Sequence, residues 1–383
     1  MRILTGGESH GVGITAVLDG FPAGVKIIRE EINRDLERRQ TGYGRGRRME
    51  IEKDEVNILG GIRVGLTTGT PVVMFIENRD WENWKEILSP FGAGGDEKKV
   101  VYPRPGHADL SGGLKYNLRD LRNVLERASA RETTSRVAAG SVAKQFLACF
   151  GIRVVGWVIE INGIKANLEA DFKMLEEIAE GSDLRSPDPD SEPLMKAKID
   201  EAKSAGDTLG GVFEVRVFGI PPGLGSYSQW DTRLDTRLAS VLMSIPSVKA
   251  VEIGLGIESA RRKGSEVHDE IFYSDEKGFC RKTNNAGGIE GGVTNGNDII
   301  LRAAMKPIST LMKPLHSVDI NTKQEGRAST ERSDVCAVPA GAVIGEAVVA
   351  LEIADAFLEK FGGDSIEEIS RNYNGYMKQV RQF

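Results

Sequence analysis

Residues 137–150 constrain the fold more than any other stretch, because they are rich in alanine and apolar on more than one face. A helix with that pattern has no polar side to turn to water and has to be enclosed on all sides. A second helical stripe, Ile344, Ala347, Val348, Leu351, Ala354 and Leu358, stops at Gly362-Gly363. Ser365 and Glu368 then form a capping box for a C-terminal helix over 365–383. Val155, Trp157, Ile159 and Ile161 alternate as in a strand, Phe213, Val215 and Val217 do the same, and 71–76 reads as a short apolar strand. These patterns predict a helical core between sheets, with Arg185-Ser186-Pro187-Asp188-Pro189-Asp190 as a surface loop.

The chain also repeats itself. Gly20-Phe21-Pro22-Ala23-Gly24 returns as Gly219-Ile220-Pro221-Pro222-Gly223, and Gly65-Leu66-Thr67-Thr68-Gly69 returns as Gly292-Val293-Thr294-Asn295-Gly296. Arg104-Pro105-Gly106-His107 is echoed by Lys313-Pro314-Leu315-His316, and Arg131 and Arg332 each stand nine residues before the glycine of an Ala-Gly pair. Echoes in the same order suggest two similar halves about a pseudo-twofold axis, roughly 1–150 and 206–361 joined by 151–205.

The chemistry lies in oxyanion-binding residues. Between residues 104 and 140 the sequence combines His107 with recurrent arginines and serine or threonine hydroxyls. Arginine's planar fork matches phosphate and carboxylate, hydroxyls add donors, and a histidine beside them can protonate a departing oxygen. Gly6-Gly7-Glu8-Ser9-His10-Gly11 places another histidine where glycines let a ligand approach the backbone. Ile28, Ile32 and Leu36 predict a helix ending near Gln40, which leaves Arg45 to Arg48 on a glycine-rich loop suited to covering a polyanionic small molecule. Such a loop is costly to order, so 41–48 is expected to close only over a ligand.

A formal net charge of −6 disfavours a general nucleic-acid binder despite the basic run at 38–48. Cys149, Cys280 and Cys336 are far apart without metal-ligand spacing, so reduced thiols, each a small buried apolar residue, are expected. No apolar run approaches a membrane span and the N-terminus resembles no targeting segment, so the expected location is the cytoplasm. Gly287-Gly288 and Gly291-Gly292 lack dinucleotide-fingerprint spacing. His268 reads as a turn histidine and His316 as a relic of His107.

GGESHG (6–11), RRQTGYGRGRR (38–48), RPGHAD (104–109) and ERASARETTSRVAAG (126–140) resemble the chorismate synthase family. VKAVEIGLG (248–256), NNAGGIEGGVTNG (284–296), KPIST (306–310) and ERSDVCAVPAG (331–341) extend the resemblance over most of the chain. It implies one α+β domain over 1–383, a β-α-β sandwich with a helical core between two mainly antiparallel sheets, assembled as a homotetramer. It also implies a shikimate-pathway lyase that eliminates phosphate from 5-enolpyruvylshikimate 3-phosphate to give chorismate. The family needs reduced FMN without net redox change, and NADPH would enter only indirectly, through a separate flavin reductase.

The family's site residues fall on named positions. The resemblance makes His10 the histidine that protonates the flavin, His107 the one that protonates departing phosphate, and Asp334 the base that takes a proton from flavin N5. Substrate contacts fall on Ser9, Arg39, Arg45, Arg48, Ser129, Arg131 and Arg332, with Arg136 a further candidate. Cofactor contacts fall on Arg127, Ala128, Ser129, Gly291, Lys306, Pro307, Ile308, Ser309, Thr310 and Arg332. Another family contact, Asn-Ala ahead of Val-Lys, is Pro246-Ser247 here, which removes an amide and a backbone donor and leaves Ser247 in that place. Two readings of other classes stand beside the lyase: a flavin-dependent oxidoreductase on the same scaffold, and a nucleic-acid binder using the basic run.

Overall fold

The computed structural model describes residues 1–46, 53–91, 98–169, 172–276, 278–331 and 333–383. Two antiparallel sheets enclose helices. The first runs Arg2–Gly7, Gly13–Asp19, Val72–Glu77, Val56–Gly60 in spatial order, and the second Val248–Ile253, Ile299–Met305, Gly211–Phe218, Arg153–Ile161, Ile164–Lys165. Between them lie the Thr133–Ala148 helix, packed on the first sheet, and the Val338–Phe361 helix, packed on the second. Both are buried almost all round, as the alanine-rich pattern requires. A Cβ added at Gly140 would come within 2.5 Å of Ala347 Cα, so glycine is what lets the two helices touch.

Most elements follow their sequence patterns. Phe213, Val215 and Val217 all face the core, the 28–40 pattern forms Arg29–Gln40, and Ser365 Oγ accepts the Glu368 N–H at 3.3 Å to start Ile366–Gln382. The reciprocal capping bond goes instead from the Asp364 N–H to Glu368 Oε2, at 3.0 Å. The alternation at Val155, Trp157 and Ile159 marks a real strand but not the central core: these side chains pack against Leu175 and Ala179 of the Phe172–Gly181 helix. The opposite face, Val154 and Val158, meets the main core, and a bulge between Val158 and Glu160 returns Ile161 to that side.

The echoed turns form the same bonds twice. Thr67 Oγ1 donates to Pro22 O at 2.6 Å and accepts from Val25 N at 2.9 Å, while Gly24 N donates to Thr67 O at 2.9 Å. Thr294 Oγ1 donates to Pro221 O at 2.7 Å and accepts from Leu224 N at 2.8 Å, while Gly223 N donates to Thr294 O at 2.8 Å. Gly24 and Gly223 both take positive φ, at 81° and 97°, which explains the glycines of the echo.

Two charged residues of the basic run and the Pro-Asp loop turn into the fold, Arg38 half-buried and Arg185 buried. Arg38, part of the basic run, turns inward and grips Glu346 through both terminal guanidinium nitrogens at 2.7 and 2.8 Å. Arg185, placed on a surface loop by its Pro-Asp surroundings, is buried, bonded to Glu180 at 2.5 Å and 3.5 Å from Glu346. Lys144 Nζ adds a contact to Glu346 at 3.0 Å. This buried ionic group joins three helices and the second sheet, where Glu346 Oε1 accepts the Gly156 N–H at 3.0 Å. A charge with several partners inside the fold looks, in sequence, like any charge on a surface. Among the described residues no helix is long and apolar enough to cross a membrane.

Candidate active site

The first part of the site is built on the turn after the first strand. Asn78 Nδ2 donates to Glu8 O at 2.9 Å and to Gly11 O at 2.7 Å, holding the Glu8–Gly11 turn against the end of Val72–Glu77. The His10 ring stacks on Trp84 with centroids 4.2 Å apart, and Lys98 Nζ lies 4.1 Å from the Trp84 ring. Both carboxylate oxygens of Glu126 lie 3.0 Å from His10 Nδ1, and Oε2 also accepts the His10 N–H at 2.8 Å. Burial works to raise the Glu126 pKa, but the hydrogen bond and charge of His10, helped by Arg122, hold it below the ordinary carboxylate value. Ser9, also buried, donates its backbone N–H to Glu126 O at 3.0 Å.

The second part is a group of arginines. Arg131 Nη1 pairs with Asp54 at 2.5 Å and its Nε donates to Asn78 Oδ1 at 2.9 Å, so Asn78 joins this arginine to the His10 turn. Arg39 donates to Thr133 Oγ1 at 3.0 Å and to Ala130 O at 2.8 Å. Its Nη1 is buried without a hydrogen-bond partner, 3.8 Å from Asp54 Oδ2, which is also unsatisfied. Burial first, then the charges of Arg45 and Arg131, bring the Arg39 pKa down to about 9 against the opposing pull of Asp54 and Asp334. Arg45 Nη1 pairs with Asp334 Oδ2 at 2.5 Å, and Gly46 N donates to Asp334 Oδ1 at 2.7 Å. Asp334 therefore stands among the arginines.

The third part surrounds His107. Its Nδ1 lies 2.6 Å from Asp109 Oδ1, and the Arg104 guanidinium donates to both Asp109 oxygens, from Nε at 2.8 Å and from Nη2 at 3.1 Å. Burial alone would raise the Asp109 pKa, but His107 and Arg104 together hold it far below the usual carboxylate range. Arg104 Nη1 donates to Thr310 Oγ1 at 3.0 Å, and Lys306 Nζ to Gly106 O at 2.8 Å, so the 306–310 segment lies against His107. Lys306 N in turn donates to Ser247 O at 2.9 Å, and Ser247 takes a φ of 72°. Burial, with Lys249 nearby, lowers the Lys306 pKa.

Backbone bonds tie the parts together. Thr208 Oγ1 donates to Ile308 O at 2.7 Å, Leu209 N to Val335 O at 2.8 Å, and Val335 N to Gly44 O at 2.8 Å. One chain of contacts thus runs from the 306–310 segment through Thr208, Leu209 and Val335, the neighbour of Asp334, to the arginine loop. The described part of that loop is docked rather than open: Tyr43 N donates to Asp183 O at 2.8 Å and its hydroxyl to Asp200 at 2.8 Å. Within it the charge of Arg45 is met by Asp334.

Other expected residues are spread more widely. Arg48 and Arg332 lie outside the described residues. Ser129 Oγ accepts the Arg131 N–H at 3.3 Å, Ala128 precedes it, and Arg127 is exposed and donates to Thr5 O and Gly7 O. Arg136 bonds Glu132 and Ser244. Gly291 sits on an exposed turn where a side chain would meet open space, its neighbour Gly292 accepting from Leu234 N. His316 is exposed, 3.6 Å from Glu325, and His268 caps the short Gly264–Val267 helix. Of the cysteines only Cys336 is fully buried, its thiol pushed up to about 11 by burial, whereas Cys149 is exposed. Sequence reasoning missed Glu126, Asp54, Asn78, Trp84 and the orienting role of Asp109. Only Asp109, two residues from His107, left a local signal.

The chorismate synthase family model matches residues 1–358. The chain is 60% identical to the chorismate synthase of Geobacter metallireducens and 58% to that of Geobacter sulfurreducens, each over 100% of both proteins. It is 54% identical to the chorismate synthase of Aquifex aeolicus, over 100% of this chain and 99% of that one. A crystal structure of chorismate synthase superposes with a TM-score of 0.80 at 45% identity, covering 100% of this chain and 98% of the other.

Proposed function

The chain belongs to the chorismate synthase family, and from that premise we propose that it eliminates phosphate from 5-enolpyruvylshikimate 3-phosphate to give chorismate with the help of reduced FMN. Family membership places it among the lyases of the shikimate pathway and aromatic biosynthesis. The observation that carries the finer reading is the pairing of two histidines with buried carboxylates beside buried arginines. Such a site can bind a phosphate ester and protonate what leaves it.

The residues present fit a phosphate-bearing cofactor. Burial, and then the charge of Lys249 nearby, disfavour the charge on Lys306, which a bound anion would relieve, and the 306–310 segment adds hydroxyls. Lys306 to Thr310, Ser247, Gly291, Arg332 and the stretch Arg127, Ala128 and Ser129 would hold the flavin. When bound, reduced FMN would supply an electron to start phosphate loss and take it back as the substrate hydrogen departs. Arg39, Arg45 and Arg131, joined by Ser9, Arg48, Ser129 and Arg332, would bind the substrate's anionic groups, and the buried Nη1 of Arg39 is a donor already stripped of water. His107 would hold a proton for the departing phosphate, His10 one for the cofactor side, and Asp334 would accept one.

The test is anaerobic: phosphate release is measured under dithionite with and without pre-reduced FMN. One phosphate per substrate, with the reduced flavin unspent, is expected. Release without flavin, or flavin oxidised in step with substrate, would overturn the reading, the second outcome in favour of an oxidoreductase. A homotetramer belongs to the same reading, so light scattering should give about four subunits. A monomer at micromolar concentration would contradict it.

A further inference from the structure

Glu126 has no part in the chemistry above, yet it holds His10 at two points. Its carboxylate accepts the His10 backbone N–H at 2.8 Å and lies 3.0 Å from Nδ1. An ionised carboxylate only accepts, so Nδ1 has to carry a hydrogen for this contact to be a bond. The Glu126 side chain is itself enclosed, 2% exposed, with Arg122 Nη1 3.5 Å away on the same short helix. Trp84 fixes the plane of the ring from its face. We propose that Glu126 is a positioning residue that assigns the transferable proton of His10 to Nε2.

The proposal rests on reading His10 as a proton donor, and it specifies how the ring performs that task. An imidazolium that passes on its Nε2 proton is left as the neutral Nδ1–H tautomer. With Glu126 in place that product is already hydrogen-bonded, so the ring gives up its proton without turning. The imidazolium that precedes it is stabilised by the same carboxylate. His107 Nδ1 likewise meets a buried carboxylate, that of Asp109, which Arg104 fixes through both oxygens. Two histidines, each with Nδ1 on a buried carboxylate beside an arginine, indicate an arrangement rather than a chance contact.

Glu126→Gln in the full-length holoenzyme tests the proposal. The glutamine oxygen can still accept the His10 backbone N–H, but its amide then faces Nδ1 as a donor beside that oxygen, which weakens the preference for the Nδ1–H tautomer. Nitrogen-15 spectra of the His10 ring should show Nδ1–H in the parent and a shift towards Nε2–H in the variant. Turnover should fall about 10²-fold with KM changed less than about threefold. On a His10→Ala background the same change should cost less than about threefold, because Glu126 acts through His10. An Nε2–H tautomer in the parent, an unchanged tautomer in the variant, or an equal loss on both backgrounds would overturn the proposal. If the parent released no phosphate at all, the proposed reaction would fail instead, and the ring spectra would still decide the proton assignment.

Discussion

His10→Ala and His107→Ala are each expected to slow phosphate release by about 10²-fold or more, the usual loss on removing a positioned general acid. FMN binding should survive both. The two replacements leave different residues behind. After His107→Ala, Asp109 keeps the bidentate Arg104, so its buried charge stays compensated and the local fold should hold. After His10→Ala, Glu126 keeps the backbone N–H at position 10 and Arg122 at 3.5 Å, but Trp84 loses its stacking partner. The His10 variant should therefore be the less stable of the two. Stopped-flow phosphate release with saturating reduced FMN separates turnover from cofactor affinity, and a loss below about threefold would remove that histidine from the acid role.

The elements that were legible in sequence are those whose signal is periodic and local. Phe213, Val215 and Val217 alternate because one face of their strand meets the helical core, and residues 137–150 are apolar on more than one face because sheet and helix cover most of them. The strand at Arg153–Ile161 shows where periodicity stops helping. Alternation reveals a strand and a buried face, but both faces here are covered, and the pattern fits the small outer cluster around Trp157 better than the main core.

The site shows the same division. His10, His107 and the arginines stand in compact motifs because glycine turns and helix starts hold them, whereas partners other than Asp109 come from distant parts of the chain. Glu126 lies 116 residues from His10, and Asp54 lies 77 from Arg131. Such pairs depend on packing, which no local pattern records. Arg38 and Arg185 mislead for the opposite reason, since a charge reads as solvated until its buried partners are known.

That buried group gives the largest expected effect on stability: Glu346→Ala should destabilise the fold by about 3 kcal/mol. Glu346 is 1% exposed and takes bonds from Arg38, Lys144 and the Gly156 N–H, with Arg185 at 3.5 Å. Removing it strands cations inside the protein and orphans a strand amide. The loss should sit at the low end of the range for broken buried pairs, because Asp35 still meets Arg38 and Lys144, and Glu180 still meets Arg38 and Arg185. Burial opposes the Glu346 charge, but Arg38 and Lys144 outweigh it and hold its pKa far below the ordinary carboxylate value of 4.5. A depressed folded pKa contributes stability that is fully present above the unfolded value and is lost as pH falls towards the folded one. Glu346→Gln should accordingly be less stable than the parent at pH 7, with the gap narrowing as pH drops below about 4.5. Urea titrations at pH 7 and pH 3.5 measure both quantities, and a gap that stayed constant or widened in acid would mean that Glu346 matters for its shape rather than its charge.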